Sequence, residues 1–179
     1  MSRHTLADST ATFIEAVTTE LSALSSRPAG TFVREAAVEA ANIVGGVIAA
    51  DGRCTDSELD AYLDCIGPLL DPPLTTSTAA AREMNLFAGK RDELLRASVM
   101  FDLLTGADAK HGTLRSHRYY ELALHLAHGA AALDLVPSPS ELVVIDEFRT
   151  MMLRHLDGLG VPRPGRPASP SNPPRPAPS

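Results

Sequence analysis

The chain has 179 residues, a net charge of −6, 44% hydrophobic residues, only 4% aromatics and no Trp. That suffices for one ordinary domain plus a tail, with Ala and Leu supplying a packing that suits helix on helix better than a sandwich. The acidic balance argues against nucleic acid as a main partner and permits cations or basic surfaces.

Phe13, Ile14, Val17, Leu21 and Leu24 recur at helical spacing and predict a first helix near 9–26, with Ser9 or Thr10 as cap. "SSRPAG" ends it. A second helix is expected from about Thr31 to Ala50, apolar nearly all round toward its end and therefore central. Gly45 and Gly46 weaken it locally but let another helix approach closely. The third starts after Thr55, with Leu59, Tyr62, Leu63 and Ile66 buried and Asp60 and Asp64 facing out, and ends in "GPLLDPPL". Shorter helices follow near 78–88 and 91–104, the latter with Leu94, Leu95, Val99, Leu103 and Leu104 inward. "TGADAKHGT" reads as a loop. A long helix is expected from Leu114 to Leu133. The last is expected from Pro139 to Leu156, with Leu142, Ile145, Phe148, Met152 and Leu156 as its stripe and Gly158 as its stop.

From Val161 the composition changes. "VPRPGRPASPSNPPRPAPS" holds eight of the fourteen prolines, three Arg and no acid, and reads as a disordered linker or tail. It serves as a passive spacer or as a PxxP contact for an aromatic groove. The expected organisation is an N-terminal helix and connector (1–30), a helical domain (31–160) and this tail (161–179). Cys54 and Cys65 make neither a disulfide framework nor a zinc spacing, which points to a reduced, cytoplasmic setting. The first ten residues lack the apolar core of a secretory signal, and "AANIVGGVIAA" is too short to span a bilayer.

Two stretches, "AADGRCTDSEL" and "ALDLVPSPSEL", align at an offset of 83 residues. Asp51 then meets Asp134, Glu58 meets Glu141, and Gly46 meets Gly129, as in a duplicated helix–loop–helix unit. "TDSE" and "SPSE" are capping boxes, which account for both glutamates, and Pro139 takes the first helical position. The aspartates are different. Each closes a helix, where a carboxylate meets the negative end of the macrodipole at a cost of about 0.3–1 kcal/mol. An Asp-Gly turn can excuse Asp51 but not Asp134, which precedes Leu135. Two readings stay open: a cation held by carboxylates and helix-end carbonyls, or aspartates that cap the following helix. "DGRCTDSE" matches the second half of an EF-hand loop, but Val47 and Ala49 stand where its first oxygens belong. Any metal therefore needs oxygens from both copies, with Asp56 as an extra candidate.

"VIAADGRCTDSELDAYL" resembles the signature of the TerB-like tellurite-resistance family, and "AAALDLVPSPSELVVIDEF" resembles its second, weaker copy. The likeness covers roughly residues 31–157. It implies a compact all-α domain that groups acidic residues on one surface and binds a divalent metal in stress-response or membrane-associated complexes. By position the metal residues are Asp51, Glu58, Asp134 and Glu141; Leu135 replaces the usual Gly, and prolines crowd the second loop. The Pro-rich tail resembles linkers that join helical domains to AAA-type ATPase modules.

His111, His117, His125 and His128 gather around the sixth helix, and His125 and His128 share a face, so they could join Asp134 at a metal or simply be solvated. Ser116 and Tyr119 read as packing or capping residues. No nucleophile–base pair, P-loop or dinucleotide turn is present, so no enzyme and no small-molecule substrate is expected. The expectation is an all-α bundle of about seven helices. It binds a divalent cation such as calcium through Asp51, Asp56, Glu58, Asp134 and Glu141, or else is a purely structural domain, tethered to a larger machine; a protein partner is expected in either case.

Overall fold

The computed structural model describes residues 2–25, 27–134 and 136–161. Among them there is no strand. The helices are α1 (Ser2–Leu24), α2 (Val33–Ile48), α3 (Asp56–Cys65), α4 (Thr78–Glu83), α5 (Lys90–Leu94), α6 (Val99–His111), α7 (Arg115–Ala131) and α8 (Pro139–Gly158). The all-α expectation holds, with the predicted helix at 91–104 divided into α5 and α6. No helix among the described residues is long and apolar enough to cross a membrane. The tail at 162–179 and Leu135 lie outside the described residues.

α2 is the axis of the bundle. It packs against α1, α5, α7 and α8, and ten of its sixteen residues are buried. Its last two turns carry no charge, so every side can be covered. Gly46 is needed there: a Cβ at that position would sit 2.6 Å from the Leu94 Cβ of α5. α1 lies along α7 and adds Leu6, Phe13, Val17 and Leu21 to the same core. It begins a full two turns before the expected cap. Ser9 and Thr10 are therefore buried inside the helix rather than capping it. Leu6 explains the early start, because its complete burial rewards the additional turn.

The middle of the chain departs furthest from the expected pattern. Ser98 caps α6, its hydroxyl accepting the Phe101 N–H at 3.2 Å. That break turns Met100, Phe101 and Leu104 inward and leaves Val99 and Leu103 outside, 74% and 56% exposed. "TGADAKHGT" is mostly helix: α6 continues to His111 and stops at Gly112, whose φ of 68° needs no Cβ penalty. Asp60, expected in solvent, accepts the Thr78 hydroxyl and ties α3 to the start of α4. In α8 the buried stripe is Val144, Ile145, Phe148, Met152 and Leu156, with Glu141 ahead of it; Leu142 is exposed, on the side of the helix away from the core.

The duplication is visible in the helix ends. α2 ends at Ile48 and α7 at Ala131; Thr55 caps α3 and Ser138 caps α8. Each pair is again separated by 83 residues. The two helix pairs pack on one another through α2 against α7, and the short 3-10 turn Ala49–Asp51 rests on α8. The two loops are thereby brought to the same end of the bundle.

Candidate functional site

Both capping boxes form as their sequences dictate. In the first, the Thr55 hydroxyl accepts the Glu58 N–H at 3.2 Å, and Glu58 Oε2 accepts the Thr55 N–H at 2.7 Å and its O–H at 2.8 Å. In the second, Ser138 Oγ accepts the Glu141 N–H at 3.2 Å, and Glu141 Oε2 accepts the Ser138 N–H at 2.6 Å. A capping glutamate ordinarily lies at the surface. These two do not: Glu58 is 4% and Glu141 3% exposed.

Burial raises both acids above the usual glutamate range, and the cap hydrogen bonds only partly offset it. Neighbouring charge adds to the effect. Asp134 and Asp51 act on Glu58, while Glu58 and Asp134 act on Glu141. Four of the five carboxylates singled out in the sequence therefore form one electrostatic group, although they come from loops far apart in the chain. The contiguity of the 3-10 turn with α8 is what makes this possible.

Asp51 itself is exposed. Its Oδ1 accepts the Arg53 N–H at 2.8 Å, and Gly52 follows in the left-handed region at φ 69°. This is a local Asx turn of the Asp-Gly type. It does not cap α3, whose N–H groups belong to Thr55. Asp134 lies half-buried after α7. Asp56, the extra candidate, looks the other way. It pairs with Arg82 of α4 at 2.5 Å, and the same guanidinium donates to the Cys54 carbonyl at 3.2 Å. Arg82 thus latches the first loop to α4 and takes Asp56 away from the other acids.

The donors suit a hard divalent cation in chemistry, being carboxylate oxygens on a partly dry surface. They are not gathered as a cage. Glu58 and Glu141 each have an oxygen committed to a cap, Asp51 has one committed to Arg53, and no three His, Cys, Asp or Glu side chains among the described residues are placed to hold one ion. The same holds for the histidines: His125 and His128 lie exposed on α7. Nucleophilic chemistry is disfavoured here. Cys54 is pushed up to about 12 by burial and by Glu58, Asp51 and Asp56, against which Arg82 acts in the opposite sense.

Asp108 is absent from the sequence reading, whereas Ser116 and Tyr119, expected to pack or cap, are both buried. Asp108, wholly buried, accepts the N–H groups of Arg115 at 3.1 Å and Ser116 at 2.7 Å, and the hydroxyls of Thr113 and Ser116. It caps α7 from the preceding helix, where Leu114 offers no side-chain cap. Burial alone would raise its pKa; the four hydrogen bonds overcome that and lower it. The readable signal was Thr113 and Ser116 just past a glycine stop. Tyr119, buried between Phe13 and Phe101, donates its hydroxyl to Glu39. Its burial and that carboxylate hold the phenol well above its usual range.

Compared with family models, curated proteins and solved structures, the chain matches none.

Proposed function

We propose that this is a non-catalytic, TerB-like helical domain whose two acidic interhelical loops bind a divalent cation, calcium or a similar hard ion, within a bacterial stress-response or signalling assembly. One observation carries the reading. Loops 83 residues apart in the chain bring together carboxylates of like charge, two of them buried, at a cost in stability. A cation drawn in by Asp51 and Asp134 offsets that cost. The likeness of both loops to the TerB signature supports the setting. Because the acids are not already converged, the loops must adjust to the ion, so the affinity belongs to the weak end of protein calcium sites, about 10⁻⁴ M.

Calorimetric titration of the full chain with calcium tests this. Saturable binding that weakens at least ~10-fold in Asp51→Asn/Asp134→Asn is expected. Unchanged affinity in that variant, or no binding below about 1 mM, overturns it.

A second reading is favoured by the completed caps and the Arg82 latch, which give Glu58, Glu141 and Asp56 structural employment. Under it the chain is an interaction domain, tethered by its Pro-rich segment to a larger machine such as an AAA-type ATPase. Calcium then leaves the melting temperature unchanged, and charge-removing variants of the loop acids affect stability alone.

A further inference from the structure

Between the first loop, α4 and α5 the charge balance of the chain is reversed. Over the whole sequence 22 acids stand against 16 Lys and Arg. Around a cavity of about 620 Å³ in this region, three arginines, Arg53, Arg82 and Arg91, stand against a single carboxylate, Asp92. The floor is apolar: Ile48, Leu59, Ala81 and Phe87 line it, and all four are buried. A cavity of that size, with a dry apolar floor and a few charged groups at its edge, suits a small organic molecule.

The three guanidiniums come from separate parts of the chain, and each has donors to spare. Arg53 is placed by its backbone, whose N–H is accepted by Asp51 Oδ1 at 2.8 Å, and its side chain makes no ion pair among the described residues. Arg82 uses Nη2 for both Asp56 and the Cys54 carbonyl, and Arg91 uses Nη2 for Glu147 at 3.1 Å. A guanidinium has five N–H donors, so Nε and Nη1 of both arginines remain for a ligand. Asp56 and Glu147 lie outside the cavity lining, and both pairs are exposed, so they yield readily to a better-placed anion. The Cys54 thiol on the lining is pushed up to about 12 and adds no negative charge at neutral pH.

Three guanidiniums less Asp92 leave two positive charges on the lining. A carboxylate answers one of them. A phosphate monoester, with a charge of about −2 at neutral pH and three acceptor oxygens, answers both and can be gripped from several sides. We propose that this cavity binds a phosphate monoester carrying an apolar or aromatic body. Arg53 and Arg91 hold the phosphate, Arg82 supports it from the last turn of α4, and the body lies on Leu59 and Phe87. The site is separate from the carboxylates of the two loops and needs no cation bound there.

Phenyl phosphate is the probe, titrated into the full chain in buffer free of calcium and inorganic phosphate. The readout is the backbone amide NMR signals of Gly52, Arg53 and Gly89 on the rim. Saturable shifts with a dissociation constant of about 1 mM or below are expected. Arg53→Gln, which removes the guanidinium that no ion pair holds, should weaken binding at least ~5-fold, and Arg53→Gln/Arg91→Gln at least ~10-fold. Benzoate, with one charge, and inorganic phosphate, with no body, should each bind at least ~5-fold more weakly than phenyl phosphate. Absence of saturable shifts at these amides up to about 10 mM overturns the proposal. So does unchanged affinity in Arg53→Gln. Benzoate binding as tightly as phenyl phosphate would deny the site to phosphates, and inorganic phosphate binding as tightly would leave the apolar floor without a part; either result also overturns it.

Discussion

Two buried carboxylate regions at different places in the bundle behave in opposite ways. Asp108 and the Glu58–Glu141 pair are all nearly inaccessible to water. Asp108 receives four hydrogen bonds from one helix start and is held below the usual aspartate range. Glu58 and Glu141 also cap helices, yet burial, and after it the charge of other acids, outweighs their cap hydrogen bonds and holds each above its usual range. Burial is common to both; what differs is how fully hydrogen-bond donors answer it, four bonds on Asp108 against the caps alone on each glutamate, with nearby anions adding a smaller push. The first arrangement stabilises a fold outright. The second is stable only in spite of its charge, which is the state in which a bound cation has most to contribute.

The contrast makes its largest prediction at Asp108. Asp108→Ala should lose about 3 kcal/mol in urea denaturation followed by circular dichroism, because it leaves several donors at the start of α7 without their buried acceptor. Its pH arm follows from the lowered pKa: the stability it contributes is present above the ordinary aspartate value and is lost as pH falls through the folded one. Asp108→Asn should remove that acid-side loss, and a wild-type acid limb unchanged in this variant would refute the assignment.

Calcium comes next. At ten times its dissociation constant it should raise wild-type stability by about 1.4 kcal/mol, read as a shift in thermal midpoint, and raise Asp51→Asn/Asp134→Asn by no more than about 0.4 kcal/mol.

Glu58→Ala or Glu141→Ala should each cost about 1 kcal/mol through the lost cap. Glu58→Gln/Glu141→Gln keeps an acceptor at each cap while removing the charge, so at neutral pH it should be more stable than the alanine pair and at least as stable as wild type. Here the sign is opposite to that of Asp108. A raised carboxyl pKa contributes stability below the ordinary glutamate value that is lost as pH rises through the folded value. A stability profile whose neutral-side decline persists in the double glutamine variant would show that the glutamates are not its source.

The smallest effect concerns reactivity alone. With its thiol near 12, Cys54 should react with iodoacetamide at pH 8 at least ~10-fold more slowly than an unstructured cysteine, and Glu58→Gln should narrow the gap. Peptide mapping of the alkylated chain separates it from Cys65.

Much of the local structure was legible. Thr55–Glu58 and Ser138–Glu141 announced two helix starts, and both caps form as written. The apolar end of α2 announced its central place, and Gly46 the close approach of α5. The inward roles expected of Val99, Leu103 and Leu142 were not met, because helical periodicity gives a stripe only once its phase is known. Ser98 resets that phase in α6, and in α8 the burial of the capping Glu141 together with Val144 and Ile145 turns Leu142 outward. Asp56 belonged to the expected acidic set by spacing, but Arg82, 26 residues on, claims it.

By itself, then, the sequence determined the helical class, the two capped loops and their 83-residue repeat, since period, capping and turn chemistry act within a few residues. Only the tertiary structure decided that the loops meet, that both glutamates are buried among other acids, and that Asp108 caps a neighbouring helix. Each of these depends on which helices pack together, and packing couples residues that no local pattern relates.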